Sequence, residues 1–363
     1  MDIGYDELGP QKVIHLYSPK VGLKAIVVID NTALGPSVGG VRVSKDVTLS
    51  EVIRLARTMT LKNSVAGLPH GGAKGAILAD PKDPKKEIYF RTFARLIKDI
   101  TEYIPGPDMG SNEECMAWIY DENSRSAGLP EELGGLPLDR LGATGFGIAK
   151  CAEVSCPFAG LEVSNSRVAI QGFGSVGKAA GRFLSEMGAK IVAVSDTKGF
   201  IYNPSGIDIK KLIQVKESSG SVINYKDGIS NPEPDGIFRV ECDIIIPAAT
   251  PDVINRENAP EIKARLILQG ANIPATLEAE EMLAKRGVLL VPDFIANAGG
   301  VIMAAMEWAK KTEKEAFLEI ETKIKLNTQL VLERSREKNI LPRTAAIEIA
   351  KERVLSAMRY RTY

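Results

Sequence analysis

Residues 167–196 constrain the fold of this chain more than any other segment. A short apolar strand from Arg167 runs into Gly172-Phe-Gly174-Ser-Val-Gly177, and a helical pattern then extends to about Met187. A second apolar strand begins at Lys190 and ends on Asp196, about twenty residues past the glycine segment. A strand, Gly-x-Gly-x-x-Gly, a helix, a strand and a terminal acid together are the pattern of a dinucleotide-binding unit.

The glycine segment and the acid supply the first predicted cofactor contacts. Glycines permit a tight turn and a close approach of the backbone to a pyrophosphate at the N-terminus of the helix. Asp196 suits the ribose 2′-hydroxyl of NAD and would repel the 2′-phosphate of NADP, whereas Ser195, Thr197 and Lys198 could bind that phosphate. Both cofactors stay open, with NAD favoured. The predicted contacts are Gly172, Gly174, Ser175, Val176, Gly177 and Asp196.

Three more apolar segments, 242–247, 266–269 and 288–291, read as strands of the same sheet. Each is followed by small or polar residues. Ligands of open parallel sheets bind just outside the carboxyl ends of the strands. We therefore expect these tips to line the cofactor. The predicted residues are Ala248, Ala249, Asn272 and Asn297.

The N-terminal part of the chain also predicts an α/β structure. Residues 12–30 and 40–45 read as strands, and Thr48-Leu-Ser-Glu51 resembles a helix capping box. A second helix is predicted from about Lys85 to Ile104, where Pro105-Gly106-Pro107 would stop it. We expect a first domain over residues 1–138 and a dinucleotide-binding domain over 139–334. A long helix from about Gly300 and a last helix from Pro342 follow, and residues 335–363 would return to the first domain.

Two lysines and one aspartate are the candidate catalytic groups. Lys62 and Lys74 flank a Leu-Pro-His-Gly-Gly segment, which predicts that Lys74 leaves a tight loop among small residues. Loss of hydration there would lower the pKa of the lysine towards the range of a general base. Asp108 follows Pro-Gly-Pro, where a helix cap and a catalytic carboxylate are both open. His70 is expected to be structural.

Composition excludes several classes of function. Among 363 residues, 46 basic side chains balance 46 acidic ones, so no excess charge indicates nucleic acid. No stretch is long and apolar enough for a membrane span, and the first residues lack the pattern of a signal peptide. Four scattered cysteines and two histidines predict no metal site. We expect a cytoplasmic protein that acts on small molecules.

Seven motifs in order along residues 12–335 resemble the glutamate/leucine/phenylalanine/valine dehydrogenases. They are Gly35-Pro-Ser-Val-Gly-Gly-Val-Arg42, Met59-Thr-Leu-Lys-Asn63, Gly71-Gly-Ala-Lys-Gly75, Pro107-Asp-Met-Gly110, Ala143-Thr-Gly145, Gly270-Ala-Asn272 and Asn297-Ala-Gly-Gly-Val301. The resemblance implies two domains separated by a cleft, a homo-oligomer whose contacts come from the first domain, and NAD(P)-dependent oxidative deamination of an L-amino acid.

The resemblance also implies roles for individual residues. Lys62 would bind the α-carboxylate of the substrate, and Lys74 would activate the water that adds to the iminium carbon. Asp108 would carry protons to and from the amino group. Thr144 and Asn272 resemble positions that contact the nicotinamide and its ribose.

The side-chain pocket distinguishes members of this family. Glutamate-specific members carry a lysine at the position of Val38 and a serine at that of Ala304, so both polar anchors for a γ-carboxylate are absent. Because an unpaired buried carboxylate costs on the order of several kcal/mol, an apolar or branched-chain substrate is favoured. Gly39, Gly106 and Val301 are expected to shape the same pocket.

Alternatives stay open at this level. Pocket residues and length are closest to leucine dehydrogenase, yet residues 107–122 look more like the glutamate branch. Leucine, valine, isoleucine and phenylalanine are not distinguished. A glutamate dehydrogenase with another anchor for the γ-carboxylate is the second candidate. A dinucleotide-binding sensor without catalysis is a third, and the presence of Lys62, Lys74 and Asp108 speaks against it.

Overall fold

The computed structural model describes residues 4–361 and divides the chain into two compact units. The first unit comprises the chain up to Pro137, residues 301–316 and the segment from Ile347 onward; the second comprises Leu138–Gly300 and Phe317–Ala346. The predicted division into a first domain over residues 1–138 and a dinucleotide-binding domain over 139–334 stays a prediction. The expectations about a signal peptide at residue 1 and a returning segment up to 363 extend to residues outside the described range.

The first unit contains a five-stranded sheet and three helices that precede residue 138. The strands are β1 (Lys12–Ser18), β2 (Leu23–Asn31), β3 (Ser37–Val43), β4 (Gly71–Ile77) and β5 (Tyr103–Pro107), and the helices are α1 (Leu49–Val65), α2 (Lys86–Leu96) and α3 (Glu113–Asn123). The sheet order is β1-β2-β4-β3-β5, with β3 parallel to both of its neighbours. One face of the sheet packs apolar side chains from α2 and α3, and the other face packs against α1.

The prediction that Lys74 leaves a tight loop is wrong, because Lys74 lies in the interior of β4. The glycines around it serve close packing rather than a turn. A Cβ on Gly72 would lie 2.1 Å from the backbone nitrogen of Thr60 in α1. A Cβ on Gly39 of β3 would lie 1.7 Å from the carbonyl oxygen of Ala73. Only glycine permits the backbones to approach this closely.

The predicted helix from about Lys85 to Ile104 is also wrong beyond its first half. Helix α2 ends at Leu96, and Tyr103 begins strand β5, which pairs with β3. A proline disfavours the helical conformation of the residue that precedes it, so Pro105 keeps Ile104 extended. Prolines are tolerated here because β5 is the last strand of the sheet, where one side needs no ladder donors.

The second unit confirms the predicted dinucleotide-binding fold. Its strands are β6 (Arg167–Gln171), β7 (Lys190–Asp196), β8 (Gly199–Tyr202), β9 (Ile229–Asn231), β10 (Ile244–Pro247), β11 (Leu266–Leu268) and β12 (Leu289–Val291). The order is β12-β11-β10-β6-β7-β8-β9, and the five strands from β12 to β7 are parallel. Chain order reverses between β6 and β10, which makes their carboxyl ends the switch point of the sheet.

The remaining helices follow in chain order. They are α4 (Leu138–Leu141), α5 (Ala143–Phe158), α6 (Ser175–Glu186), α7 (Ile209–Ser219), α8 (Leu277–Lys285), α9 (Asp293–Ala296), α10 (Gly299–Trp308), α11 (Glu313–Lys338) and α12 (Pro342–Met358).

The predicted long helix from Gly300 is two helices. Helix α10 ends at Trp308, and Lys310 adopts a left-handed backbone with φ 57°. A reciprocal capping box then starts α11: Glu315 N–H donates to Thr312 Oγ1 at 3.3 Å, and Thr312 N–H donates to Glu315 Oε2 at 2.9 Å. This local start signal overrides the continuous apolar spacing.

Membrane and cysteine expectations have direct structural counterparts. Within residues 4–361, no helix combines the length and apolarity that crossing a membrane requires. The four cysteines are each unbridged and buried, and burial raises the pKa of the Cys151 and Cys242 thiols to about 12.

Glu307 explains why residues 301–316 belong to the first unit. Its carboxylate is 3 % exposed and accepts hydrogen bonds from the backbone N–H groups of Gly128 and Leu129 on one oxygen, and of Leu136 on the other, at 2.8–3.0 Å. These three bonds fix the loop after α3 to helix α10.

Replacing Glu307 by Ala should lower the free energy of unfolding by roughly 3 kcal/mol or more, because it leaves three backbone donors without their acceptor. Thermal and urea unfolding would measure the change. Glu132→Ala, an exposed substitution in the same loop, is the matched control and should leave stability within about 0.5 kcal/mol. Equal stability of the two variants would contradict the assigned role of Glu307.

Candidate functional site

Lys74 and Asp108 form a buried ion pair in the first unit. Lys74 Nζ lies 3.0 Å from Asp108 Oδ2, and the two side chains are 6 % and 22 % exposed. Asp108 follows the last residue of β5, while Asn112 caps helix α3 by accepting from Cys115 N–H. The helix-cap interpretation of Asp108 is therefore wrong, and its carboxylate serves the ion pair.

Arg42 is a member of this cluster that the sequence analysis did not single out. It lies on β3, and its Nε donates to the same oxygen, Asp108 Oδ2, at 2.9 Å. Its other end donates to Glu51 in the first turn of α1 at 2.5 Å. The alternation Val41-Arg42-Val43 was the signal, because it places the arginine on the face of the strand opposite the two valines, where a partly buried guanidinium requires a carboxylate partner.

The electrostatics of the cluster lower the pKa values of both Lys74 and Asp108. Burial lowers the pKa of Lys74 below its usual value; Asp108 opposes this shift, and the nearby Arg42 adds to it. Burial alone would raise the pKa of Asp108, but Lys74 and Arg42 outweigh it and hold the pKa below its usual value. Such perturbed pairs are typical of acid–base sites.

A small apolar cavity in the same unit collects three of the predicted substrate residues. Val38, Val301 and Ala304 line it together, and Trp308 and Ala127 complete its apolar walls. The predicted Gly39 and Gly106 do not line this cavity. A Cβ on Gly39 would collide with Ala73, whereas one on Gly106 would meet only Ala127 O at 3.9 Å.

Three polar or cationic side chains, His70, Asn63 and Lys62, also belong to this unit. His70 lines the cavity, is 5 % exposed, and has a pKa lowered by burial. Its Nδ1 lies 3.3 Å from the carbonyl oxygen of Pro36. Asn63 also lines the cavity and donates to Gly71 O at 2.6 Å. Lys62, the predicted carboxylate-binding lysine, lies half-buried in the last turn of α1.

In the second unit, a different physical reason explains the glycine at each of the three positions of the Gly-x-Gly-x-x-Gly segment. Gly172 has φ 92°, and a Cβ there would lie 2.7 Å from the Cβ of Ala249. A Cβ on Gly177 would lie 2.0 Å from Gly172 O, so this glycine allows α6 to pack on the turn. A Cβ on Gly174 would meet nothing within 4 Å, which leaves room for a ligand.

Helix α6 begins directly after this open space. Gly174 is its N-cap, and no side chain accepts from the first N–H groups of the helix. Ser175 and Val176 form its first turn. Uncapped N–H groups at the positive end of a helix, next to a glycine that leaves room, fit the pyrophosphate of a dinucleotide. The chain therefore holds the local features that this cofactor needs.

The strand tips lie close together, and their predicted contact with the cofactor stays a prediction. Ala248 N–H donates to Gln171 O at 2.7 Å, which joins the ends of β10 and β6. Asn297 Nδ2 donates to Asn272 Oδ1 at 3.0 Å, so these two predicted residues are in contact. Thr144, in the first turn of α5, lies beside Gly300, where a Cβ would be 3.0 Å from its hydroxyl.

Asp196 ends β7 as predicted, but its carboxylate is occupied by protein donors. Oδ1 accepts from Lys198 N–H at 2.9 Å and from Ser221 Oγ at 3.0 Å. Oδ2 accepts from Lys216 Nζ at 2.5 Å and from Val222 N–H at 2.9 Å. Burial opposes ionisation, yet these donors hold the pKa of Asp196 below its usual value.

Two family models match the sequence. The model described as Glu/Leu/Phe/Val dehydrogenase, dimerisation domain, matches residues 10–125. The model described as Glutamate/Leucine/Phenylalanine/Valine dehydrogenase matches residues 134–362. The two matches are consecutive and together span most of the chain.

Curated relatives and solved structures agree with the family models. A glutamate dehydrogenase of Aeropyrum pernix is 45% identical over 91% of this chain and 85% of its own. An NADP-specific glutamate dehydrogenase of Saccharolobus shibatae is 41% identical over 91% of this chain and 83% of its own.

Among solved structures, a hetero-hexameric glutamate dehydrogenase of Thermus thermophilus in a leucine-bound form superimposes with a TM-score of 0.85 at 30% identity, covering 98% of this chain and 90% of that one. An L-tryptophan dehydrogenase of Nostoc punctiforme superimposes with a TM-score of 0.77 at 27% identity, covering 97% and 98%. The chain thus belongs to the glutamate/leucine/phenylalanine/valine dehydrogenase family and is an amino acid dehydrogenase, an oxidoreductase that acts on a CH–NH2 group with NAD or NADP.

Proposed function

We propose that this protein catalyses the reversible, NAD(P)-dependent oxidative deamination of an apolar L-amino acid to its 2-oxo acid and ammonium. The observation that carries the proposal is the buried Lys74–Asp108 pair at 3.0 Å. A lysine whose pKa is lowered by burial can act as a general base towards a nearby water. The glycine segment and the open N-terminus of α6 support the dinucleotide half of the reaction.

The residues divide the proton transfers between them. A bound NAD(P)+ supplies the acceptor for the hydride from the substrate α-carbon. Asp108 takes a proton from the substrate ammonium, which leaves the amine free to become an iminium. Lys74 in its unprotonated form then removes a proton from the water that adds to the iminium carbon. Asp108 returns its proton to the amino nitrogen, ammonia leaves, and the new hydroxyl group gives its proton back to Asp108 as it becomes the carbonyl of the 2-oxo acid. Lys62 would hold the α-carboxylate during these steps.

Arg42 positions Asp108 for this role. Because Arg42 and Lys74 both bind Oδ2, the carboxylate is fixed through one oxygen. We assign the other oxygen, Oδ1, to the amino group of the substrate. Glu51 holds the far end of the guanidinium, which connects the reacting groups to helix α1.

The apolar walls at Val38, Val301 and Ala304, rather than the cavity volume of about 30 Å³, support an apolar substrate side chain. A γ-carboxylate placed among these residues would lose its hydration without gaining a cation. Glutamate is the second candidate. It is supported by the names of the relatives from Aeropyrum and Saccharolobus and by two polar residues of the cavity wall, His70 and Asn63.

We extend the proposal to assembly and location. The family model over residues 10–125 is described as a dimerisation domain, and the Thermus relative is described as hexameric. Strand β1 is an edge strand whose side chains are exposed or only partly buried, a form suited to pairing with another copy. Unbridged, buried cysteines fit a reducing cytoplasm. We therefore propose a cytoplasmic homo-oligomer.

The first prediction concerns substrate choice. The protein should oxidise leucine or another apolar amino acid with a higher kcat/KM than glutamate. In the double variant Val38→Lys, Ala304→Ser, the ratio of kcat/KM for glutamate to that for leucine should rise by roughly 10- to 100-fold, because the γ-carboxylate gains a cation and a donor.

Steady-state rates with leucine, valine, isoleucine, phenylalanine and glutamate would measure these ratios. Val38→Met, which matches lysine in length without its charge, is the control and should not favour glutamate. A wild-type preference for glutamate would overturn the apolar pocket and indicate another anchor. No turnover of any amino acid by a protein that binds dinucleotide would indicate the sensor function.

The second prediction concerns pH. In Arg42→Gln, kcat/KM should fall by roughly 10- to 100-fold at neutral pH. A nearby cation disfavours the protonated forms of both Lys74 and Asp108. Its loss stabilises those forms, so both pKa values rise. The limbs of the pH–kcat/KM profile that report these groups should therefore move to higher pH.

Lys45→Gln is the control for charge alone. Lys45 lies just after β3 and pairs with Asp80 at 2.8 Å, outside the cluster, so its removal should leave the profile in place. The charged and titratable groups around Asp108 are Lys74 on β4, Arg42 on β3, Glu51 on α1 and Tyr103 on β5. A lower rate with an unshifted profile in Arg42→Gln would reduce Arg42 to a structural role.

The third prediction separates cofactor binding from folding at the glycine segment. Gly174→Ala should keep the melting temperature, since its φ is −85° and a Cβ meets nothing within 4 Å. It should weaken dinucleotide binding at least tenfold, because the methyl group occupies the space assigned to the pyrophosphate. Gly177→Ala should instead lower the melting temperature. Wild-type dinucleotide affinity in Gly174→Ala, measured by fluorescence titration, would refute the assignment.

A further inference from the structure

Lys216 changes the chemistry expected at the end of β7. Asp196 would repel a 2′-phosphate only if its negative charge were uncompensated. In the structure, Lys216 Nζ from helix α7 lies 2.5 Å from Asp196 Oδ2, and the two side chains are 23% and 6% exposed. The ammonium is thus the more accessible member of the pair, and the carboxylate is the less accessible one.

The hydrogen bonds of Asp196 lead to the same conclusion. Each carboxylate oxygen already accepts two bonds from the protein, from backbone or hydroxyl donors and from Lys216. A 2′-hydroxyl that donates to Asp196 would have to compete with these partners. The carboxylate therefore fixes the position of Lys216 and of the loop at Ser221 and Val222 through hydrogen bonds.

Lys216 also lines a basin beside the cofactor segment. The basin has a volume of about 610 Å³ and includes Gly174 and Ser175 at the start of α6. Its charged wall residues are four cations and two carboxylates: Arg140, Lys178, Arg182, Lys216, Asp139 and Glu217. Lys178 and Glu217 pair at 2.9 Å. The excess of positive charge next to the N-terminus of α6 favours an additional anion.

We propose that Lys216 is the residue that lets this enzyme accept NADP, by binding the 2′-phosphate of the adenosine ribose while Asp196 holds its ammonium in place. The inference rests on the proposed function of the second unit and deepens it. It reverses the preference for NAD that the acid at position 196 suggests from sequence alone. Ser195 is less suited to the phosphate, because it is 1% exposed. Lys198 contacts Asp196 through its backbone N–H.

The test isolates the 2′-phosphate from catalysis. Calorimetric titration of the full-length protein with adenosine 2′,5′-bisphosphate and with adenosine 5′-monophosphate compares ligands that differ by that phosphate. The wild-type protein should bind the bisphosphate at least about tenfold more tightly, and the ratio should shrink as salt increases. In Lys216→Ala the ratio should fall at least about tenfold, and in Lys216→Arg it should be largely retained.

Two further variants complete the design. Lys211→Ala removes a lysine from the same helix that pairs with Asp227 and does not line the basin, and it should keep the wild-type ratio. Lys216→Gln keeps the side-chain length, so it replaces the alanine variant if that protein does not fold.

Equal affinity of the wild-type protein for the two nucleotides would overturn the proposal. An unchanged ratio in the Lys216 variants would overturn it as well. Because neither probe carries nicotinamide or amino acid, these outcomes are independent of whether the protein deaminates any substrate. A protein that discriminates the nucleotides through Lys216 but turns over no amino acid would retain this inference and lose the proposed reaction.

Discussion

Burial of Lys74 is the constraint on which the first unit depends. A lysine that is 5% exposed would lose most of its hydration, and an uncompensated charge there would be costly. Asp108 supplies the compensation, and Arg42 shares the same carboxylate oxygen. The result is a pair in which burial lowers the pKa of Lys74 and the two neighbouring cations lower the pKa of Asp108.

Glycine makes this burial possible. Gly40 of β3 lies opposite Lys74 of β4 in the register of the sheet. It precedes Arg42 by two residues, so both point to the same face. A Cβ on Gly40 would lie 2.6 Å from the Cβ of Asp108, so only glycine leaves the space that this carboxylate occupies. The glycine content of β3 and β4 therefore reflects close packing around the ion pair. The same residue type in the second unit supports a turn, a helix contact and an open ligand space.

The sequence predicted the second unit better than the first. Strand, glycine segment, helix and acid are local in the chain, so 167–196 could be interpreted correctly without tertiary information. In the first unit, Gly71 and Gly72 indicated a turn, because packing across strands is not visible in one segment. Tyr103 and Ile104 were predicted as the end of a helix, yet pairing with β3 and the rule for residues before proline made them a strand.

The candidate site shows the same division. Lys74 and Asp108 could be named from motifs, but the partners that set their charge states, Arg42 and Glu51, depend on how β3, β5 and α1 meet. Asp196 was predicted as a contact, whereas its pairing with Lys216 twenty positions later required the fold. Long-range partners of a charged group are decided by tertiary packing. The candidate catalytic residues could therefore be predicted from sequence more fully than the partners that shift their pKa values.

In the reaction that we propose, strand β3 carries one residue for substrate choice and another for the chemistry. Val38 and Arg42 point to the same face of β3, four residues apart, or roughly 13 Å at the usual rise per residue. Arg42 binds Asp108, the carboxylate that we propose exchanges protons with the amino group, which every amino acid shares. Val38 lines the cavity proposed for the side chain, which differs between amino acids. Because the proposed contacts of Val38 and Arg42 lie at different ends of the substrate, we expect that a substitution at 38 alters the substrate while the ion pair at 74 and 108 stays intact.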